Sequence, residues 1–338
     1  MPSGFSLCLF QTEHCSSPYF QSMSGKSKPM DVSVIIVSWN VEDLLKPCLD
    51  SLWASGLVFN GPEANAEVIV VDSGSHDGTV DMIKTTYPDV ILLPHDDNIG
   101  FVKGNNIGLA AARGHYLFLL NPDTEIVDDA IQQMVGYMDA HPEVGIIGPH
   151  TLNTDGTTQP TRRMFPTKAL AFFESTWLQP YAPKSMLARY YVEEKADTDI
   201  FEVDWVQGSA IIVRREVYEQ VGGLDESYIM YSEELDWCHR AKDAGWGVVY
   251  YGAASIIHHG GKSSEQAGSW KHIHFQKSKL RYYEKYHGKA FATVLRQFLR
   301  LNYSWQILIE SVKSLLGHKR SMRQERIQTY RDVLRSGL

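Results

Sequence analysis

Val32-Ser33-Val34-Ile35-Ile36-Val37-Ser38-Trp39-Asn40 is a β-branched run that ends abruptly on polar side chains. A run without polar alternation suits a strand buried on both faces, as in a parallel sheet. Outward from it the pattern repeats. An amphipathic stretch from Glu42 to Trp53 leads to a second strand, Glu67 to Asp72, and then to the turn Ser73-Gly74-Ser75-His76-Asp77-Gly78 and a helical segment reaching Tyr87. A third strand, Val90 to Leu93, precedes a helix from Gly100 to Arg113. A fourth, His115 to Leu120, stops at Asn121-Pro122-Asp123. Strands alternating with helices predict an α/β fold on a right-handed, doubly wound parallel sheet. Ligands of such sheets bind beyond the carboxyl ends of the strands, where Trp39, Asn40, Asp72 and Asp123 fall.

The second half is less regular. Val144 to Pro149 reads as a strand, Thr151 to Ile200 as a long excursion over the site, and Val203 to Val213 as strand-like. A helix, a Gly222-Gly223 break and a helix from Glu233 to Ala244 with Ser232 as N-cap follow. Short strands at Val248 to Tyr251 and Ser255 to Ile257 then run into His258-His259-Gly260-Gly261.

With 338 residues, 43% of them apolar and 21% charged, the chain can build a large core, which excludes disordered, collagen-like and disulfide-framework classes. Four cysteines, Cys8, Cys15, Cys48 and Cys238, have no metal-like spacing, so a reducing, cytoplasmic setting is expected. Residues 1–29 read as a flexible lead with Met23 or Met30 as alternative starts. The apolar patch Phe5 to Phe10 lacks the basic flank of a secretory signal, and no run is long enough to span a membrane. The net charge of −8 is unevenly spread: from Ser269 onward 15 Lys and Arg face 4 Asp and Glu. A basic tail on an acidic body points to a surface or polymer partner.

Each polar cluster has a structural and a chemical reading. Asp72 either caps a turn through an Asx hydrogen bond or reaches a ligand. Asp123 either caps the next helix or stands at the ligand edge of the sheet. Glu233, Glu234 and Asp236 crowd one helix turn, where the helix dipole rewards an acid but three carboxylates repel. His258 is either a satisfied core histidine or a contact for metal or phosphate. No GxGxxG follows the first strand, which excludes a dinucleotide-binding dehydrogenase, and the lack of a basic Gly-rich loop there argues against a nucleotidyltransferase.

The order of these clusters resembles the family 2 inverting glycosyltransferases with a GT-A fold, and most closely their bacterial rhamnosyltransferase-like branch. Besides the opening strand, the matching stretches are Val70 to Thr79, Asn98 to Gly108, Leu119 to Thr124, Trp205 to Ala210, Gly222 to Glu226, Met230 to Cys238 and His258 to Ser263. The resemblance implies a GT-A, Rossmann-like, mostly parallel sheet flanked by helices. It implies that Asp72 meets the pyrimidine of a nucleoside-diphosphate sugar, dTDP-rhamnose or a UDP-sugar, with Ser38 and Asn40 in the same pocket. Asn98, Gly100 and Asn105 then close over ribose and sugar. The family's DxD metal motif is here Asn121-Pro122-Asp123, which leaves Asp123 as the main ligand of Mn²⁺ or Mg²⁺ and His258 as the second. Glu234 aligns with the catalytic base, Glu233 and Asp236 being the alternatives, and its helix N-terminus is expected to keep it ionised. Arg163, Gln207, Gly208 and Trp237 would meet the acceptor, a glycan or a lipid-linked sugar of cell-surface polysaccharide synthesis. The departures at Asn121 and Glu234 leave one alternative, a sugar-nucleotide-binding, membrane-associated scaffold with little or no turnover. Nucleic acid is not an expected partner.

The catalytic domain is expected over residues 30–287, with a helical extension over residues 288–338. There Val294, Leu295, Phe298, Trp305, Leu308, Ile309, Val312, Leu315 and Leu316 recur at helical spacing, flanked by Arg296, Arg300, Lys313, Lys319 and Arg320. This stripe either packs on the domain or lies on the anionic cytoplasmic face of the plasma membrane.

Overall fold

The computed structural model describes residues 31–59, 61, 63–260, 268–317 and 319–338. The lead over residues 1–29, with Cys8 and Cys15, and the motif residues Lys262 and Ser263 lie outside the described residues. The first half follows the sequence pattern closely: β1 (Val32–Ser38), α1 (Glu42–Ala54), β2 (Ala66–Ser73), α2 (Thr79–Thr86), β3 (Ile91–His95), α3 (Phe101–Ala111) and β4 (Tyr116–Leu120). β5 (Thr124–Ile126), α4 (Ala130–Ala140) and β6 (Val144–Leu152) come next. The excursion carries structure of its own: β7 (Arg162–Arg163), α5 (Leu170–Phe173), a 3₁₀ turn at Gln179–Tyr181, α6 (Lys184–Tyr191) and β8 (Ile200–Glu202).

The chain then returns through β9 (Trp205–Val206), β10 (Ala210–Arg214), α7 (Arg215–Val221), α8 (Glu233–Asp243) and β11 (Gly247–His258). It ends in α9 (Gly268–His287), α10 (Lys289–Leu315) and α11 (Arg320–Arg335). Two expectations are corrected here. Val203 to Val213 is not one strand but two, parted at residues 207–209, whereas the two short late strands are a single β11 with an irregular register between Tyr251 and Ser255.

The main sheet runs β3-β2-β1-β4-β10-β6-β11-β5, with β8 beside β11. It is parallel through β3, β2, β1 and β4. β10 then enters antiparallel to both β4 and β6, while β5 and β8 are antiparallel to β11, so the sheet is mixed and mostly parallel. This geometry brings the carboxyl ends of β1, β2, β4 and β11 and the amino end of β10 to one edge. α3 closes on the sheet through glycine. A Cβ on Gly108 would stand 2.3 Å from the Ile35 methyl, and one on Gly104 2.8 Å from Val37, so only hydrogen fits. The extension is not detached. Leu280, Tyr283, Leu295, Leu299, Tyr303 and Val333 share one buried cluster with Ile35, Val71 and Trp237.

Candidate active site

At the β1 and β2 ends, register pairs Ser38 with Asp72. The Ser38 hydroxyl donates to Asp72 Oδ2 at 2.9 Å, and the Ser75 hydroxyl and amide donate to the same carboxylate at 2.6 and 2.9 Å. Asn40 has a positive φ of 51°. It donates its amide to Ser75 Oγ and accepts the His76 amide at 2.7 Å. Asp72 is therefore buried and braced on one side, leaving its Oδ1 edge the less occupied. Asn98 Oδ1 accepts the Ser73 hydroxyl and the Gly100 amide, shaping the turn into α3. Asn105 is buried, and its side-chain amide donates to the Phe101 carbonyl at 3.0 Å within the helix.

Asp123 follows β4 and is 2% exposed; the Asn121 amide donates to the Ser209 carbonyl, and the His259 amide donates to the Asp123 carbonyl, which ties the three segments together. His258, at the end of β11, brings Nε2 to 3.3 Å from Asp123 Oδ1. The tautomer follows from Gln159, whose Nε2 donates to the His258 main-chain carbonyl at 2.8 Å and to Asn153 Oδ1 at 2.9 Å. That orientation leaves Gln159 Oε1 facing His258 Nδ1 at 2.9 Å, so Nδ1 carries the hydrogen. In the neutral ring Nε2 then presents its lone pair to a carboxylate oxygen. Such a pair is unfavourable unless a cation, a proton or a metal ion, stands between them. An imidazole and a carboxylate in this setting fit a divalent ion that takes its other ligands from a diphosphate. Among the described residues no group of three or more His, Cys, Asp or Glu side chains forms a fuller cage.

Glu233 and Glu234 open α8 after two non-glycine residues with positive φ, Tyr231 at 67° and Ser232 at 65°. Ser232 occupies the expected N-cap position but makes no side-chain cap bond. Burial raises the carboxyl pKa of both glutamates, most strongly for Glu233, where the neighbouring Glu234 adds to the effect. Against the expectation that its helix N-terminus keeps Glu234 ionised, burial opposes ionisation there. The backbone N–H groups of Glu234, Gly208 and Leu235 and the Arg163 charge act the other way. Glu234 is the better placed of the two to hold the negative charge, and its Oε2 is shut from solvent without a hydrogen-bond partner. A carboxylate so held can accept a proton from a hydroxyl. Gly208 packs against the Glu234 side chain, and Gln207 is pinned by its amide to the Thr161 carbonyl at 2.8 Å. Arg163 lies over the rings of Tyr191 and Trp205, 5.3 and 5.0 Å from their centroids.

Two expected site residues do not face the cleft. Trp237 is fully buried, with its indole N–H on the Gly222 carbonyl at 2.9 Å, and offers no face for a sugar. Asp236 is fully buried and saturated by Arg240 at 2.8 Å, Lys285 at 2.6 Å and the Tyr286 hydroxyl at 2.9 Å, so it anchors α8 to α9. Gln159 went unnoticed in the sequence because it lies in the irregular excursion, 99 positions from His258.

The sequence model of Glycosyl transferase family 2 matches residues 33–222, more than half of the chain. The chain belongs to glycosyl transferase family 2. It is a glycosyltransferase, and its relatives include rhamnosyltransferases. Over 208 residues it is 31% identical to the N-acetylglucosaminyl-diphospho-decaprenol L-rhamnosyltransferase of Mycobacterium tuberculosis, covering 58% of this chain and 67% of that protein. It is 26% identical to rhamnosyltransferase WbbL of Escherichia coli, covering 68% and 83%. The fold is shared with a mannosyltransferase from Pyrobaculum calidifontis, solved with GDP-Man and Mn²⁺ (TM-score 0.51, 16% identity, 92% of this chain and 88% of that one). GalNAc-T7, solved with UDP, GalNAc and Mn²⁺, also shares it (TM-score 0.51, 15% identity); 68% of this glycosyltransferase spans 43% of that chain.

Proposed function

We propose that this glycosyltransferase moves a sugar, rhamnose ahead of others, from a nucleoside-diphosphate sugar, dTDP-rhamnose ahead of a UDP-sugar, to a hydroxyl of a glycan or lipid-linked acceptor, by single displacement with inversion, in cell-surface polysaccharide synthesis. The observation that carries the reading is that one short loop borders both sites: Gly208 adjoins the buried Glu234 side chain, and the next residue, Ser209, accepts the Asn121 amide beside the Asp123–His258 pair. Rhamnose and a lipid-linked acceptor are supported by the names of the relatives, one of which is an N-acetylglucosaminyl-diphospho-decaprenol L-rhamnosyltransferase.

In this reading the Asp72 carboxylate and the Ser38 and Asn40 segment hold the base, and the turn from Asn98 to Gly100 covers the ribose. Glu234 takes the proton of the incoming hydroxyl while the sugar–diphosphate bond breaks on the opposite face of the anomeric carbon. Glu233 is the more strongly raised of the two carboxyls, by burial and by the neighbouring Glu234, which leaves Glu234 the better placed to carry the charge. Arg163 and the Gln207–Gly208 segment border the acceptor side. Asp123 and His258 would hold Mn²⁺ or Mg²⁺, with Gln159 fixing the tautomer. Such an ion neutralises charge on the departing diphosphate.

The test is direct. A thermal-shift series of nucleoside-diphosphate sugars with Mn²⁺ should single out dTDP-rhamnose by the largest rise in melting temperature. Release of free dTDP on adding a polyprenyl-diphosphate sugar should follow. A donor that stabilises the protein without any diphosphate release across an acceptor panel would favour the non-turnover scaffold.

A further inference from the structure

We infer that the outward face of α10 is a docking surface for an anionic lipid bilayer. The apolar stripe expected in this segment divides in two. Leu295 turns inward to the common core together with Leu299, which the expected stripe did not include, whereas Val294, Trp305, Leu308, Val312, Leu315 and the adjoining Leu316, joined by Leu301, turn outward, each between 49% and 85% exposed. The helical positions among them recur at intervals of seven, four and three, so they form one strip along a helix of 27 residues, about 40 Å long. A strip of that size is far beyond the scattered apolar residues of an ordinary surface.

The excursion meets the same helix and adds exposed rings of its own. The Trp177 amide donates to the Asn302 side chain at 3.0 Å, one turn from Trp305, and Trp177 and Tyr181 are themselves exposed. Trp and Tyr at the rim of an apolar strip suit the headgroup level of a bilayer, where an amphipathic ring is favoured.

Charge selects among occupants. Lys289, Arg300, Lys313, Lys319 and Arg320 are exposed along and beyond the same helix, and none holds an ion pair among the described residues. The single acid of α10, Glu310, is turned inward onto Arg323. The outward face is therefore apolar and purely cationic. A second copy seated on it would oppose like charges, while an anionic leaflet complements them. No described helix is long and apolar enough to cross a membrane, so the contact is with the surface, as for an interfacial helix. The surface is separate from Glu234, Asp123 and His258, and the inference stands whether or not the donor and acceptor assignments hold.

The experiment is flotation of the purified full chain with phosphatidylcholine vesicles, with and without phosphatidylglycerol, alongside tryptophan emission. The expected result is binding that requires phosphatidylglycerol, weakens with salt and shifts the emission to the blue. Arg300→Glu with Lys313→Glu should lower the partition coefficient by about fivefold or more per site. Trp305→Gln with Leu308→Gln should lower it at least tenfold and abolish the emission shift. All four positions are exposed, and an unchanged melting temperature will show that the fold is intact. Indifference to phosphatidylglycerol, or variants that bind like the parent, would overturn the inference. So would a concentration-dependent dimer in sedimentation equilibrium that the Trp305 and Leu308 changes disperse, because the strip would then be covered by a second copy.

Discussion

Glu233 and Glu234 are adjacent at the start of α8, where two neighbouring carboxylates withdrawn from solvent cannot both carry charge cheaply, and their surroundings separate them. Burial raises both carboxyls; against it Glu234 has three backbone N–H groups and Arg163, whereas Glu233 has one backbone N–H group and a like-charged neighbour. Glu234→Gln should therefore cut turnover by about 10²–10⁴ while donor affinity, read by thermal shift, stays within about twofold. Retained transfer would remove Glu234 from the role of base. Glu233→Gln should keep most of the turnover and raise stability near neutral pH. A carboxyl whose folded pKa is raised contributes fully below its unfolded value and loses that contribution as pH rises through the folded one. The gain in melting temperature should accordingly vanish as the pH falls into the ordinary glutamate range, which a melting series against pH will read. Gln159→Leu releases the His258 ring, and Mn²⁺ affinity measured by electron paramagnetic resonance with nucleoside diphosphate present should fall about 10–100-fold. Gln159→Glu, which still accepts from Nδ1, should restore much of it.

Among elements, α3 and α8 carry most of the precision. α3 approaches β1 through Gly104 and Gly108, so Gly108→Ala drives a methyl into Ile35 and should cost about 1–3 kcal/mol in urea unfolding. α8 begins after the left-handed Tyr231 and Ser232, a backbone arrangement costing roughly 1 kcal/mol or more at each residue. That entry sets which face of α8 meets the cleft. Trp237 lies four positions after Glu233 and four before Ala241, on the buried face, a relation that helical periodicity in the sequence already contains. The place of Asp236 was not legible, because its partners Lys285 and Tyr286 come from α9, 49 and 50 positions away. The strands and helices of the first half were legible to within a residue or two, since each buries a continuous or strictly periodic apolar face. The excursion was not, because its short elements hold through side chains from elsewhere, such as Trp177 on Asn302.

For the whole molecule, the division into a catalytic unit over residues 30–287 and an extension from 288 remains our proposal. A shared core means that the extension is not independent of the unit. Ending the chain after His287 would uncover Tyr283 and the Phe172 ring that meets Phe291 and Phe298. Such a truncation should lower the melting temperature by several degrees or more and lose vesicle binding together. The point changes on α10 should lose vesicle binding alone.

The sequence by itself determined the alternating strand–helix order, the polar positions at strand ends and the family, because strand burial, helical periodicity and motif order are local and survive in linear form. It also held the charge asymmetry between body and tail. Tertiary structure decided what depends on distant partners: the antiparallel β10, the tautomer that Gln159 imposes on His258, and the withdrawal of Trp237 and Asp236 from the cleft. It also decided which half of one apolar stripe is buried. Burial and hydrogen bonding are properties of neighbours in space, and here such neighbours can lie 134 positions apart along the chain, as His259 and Glu125 do.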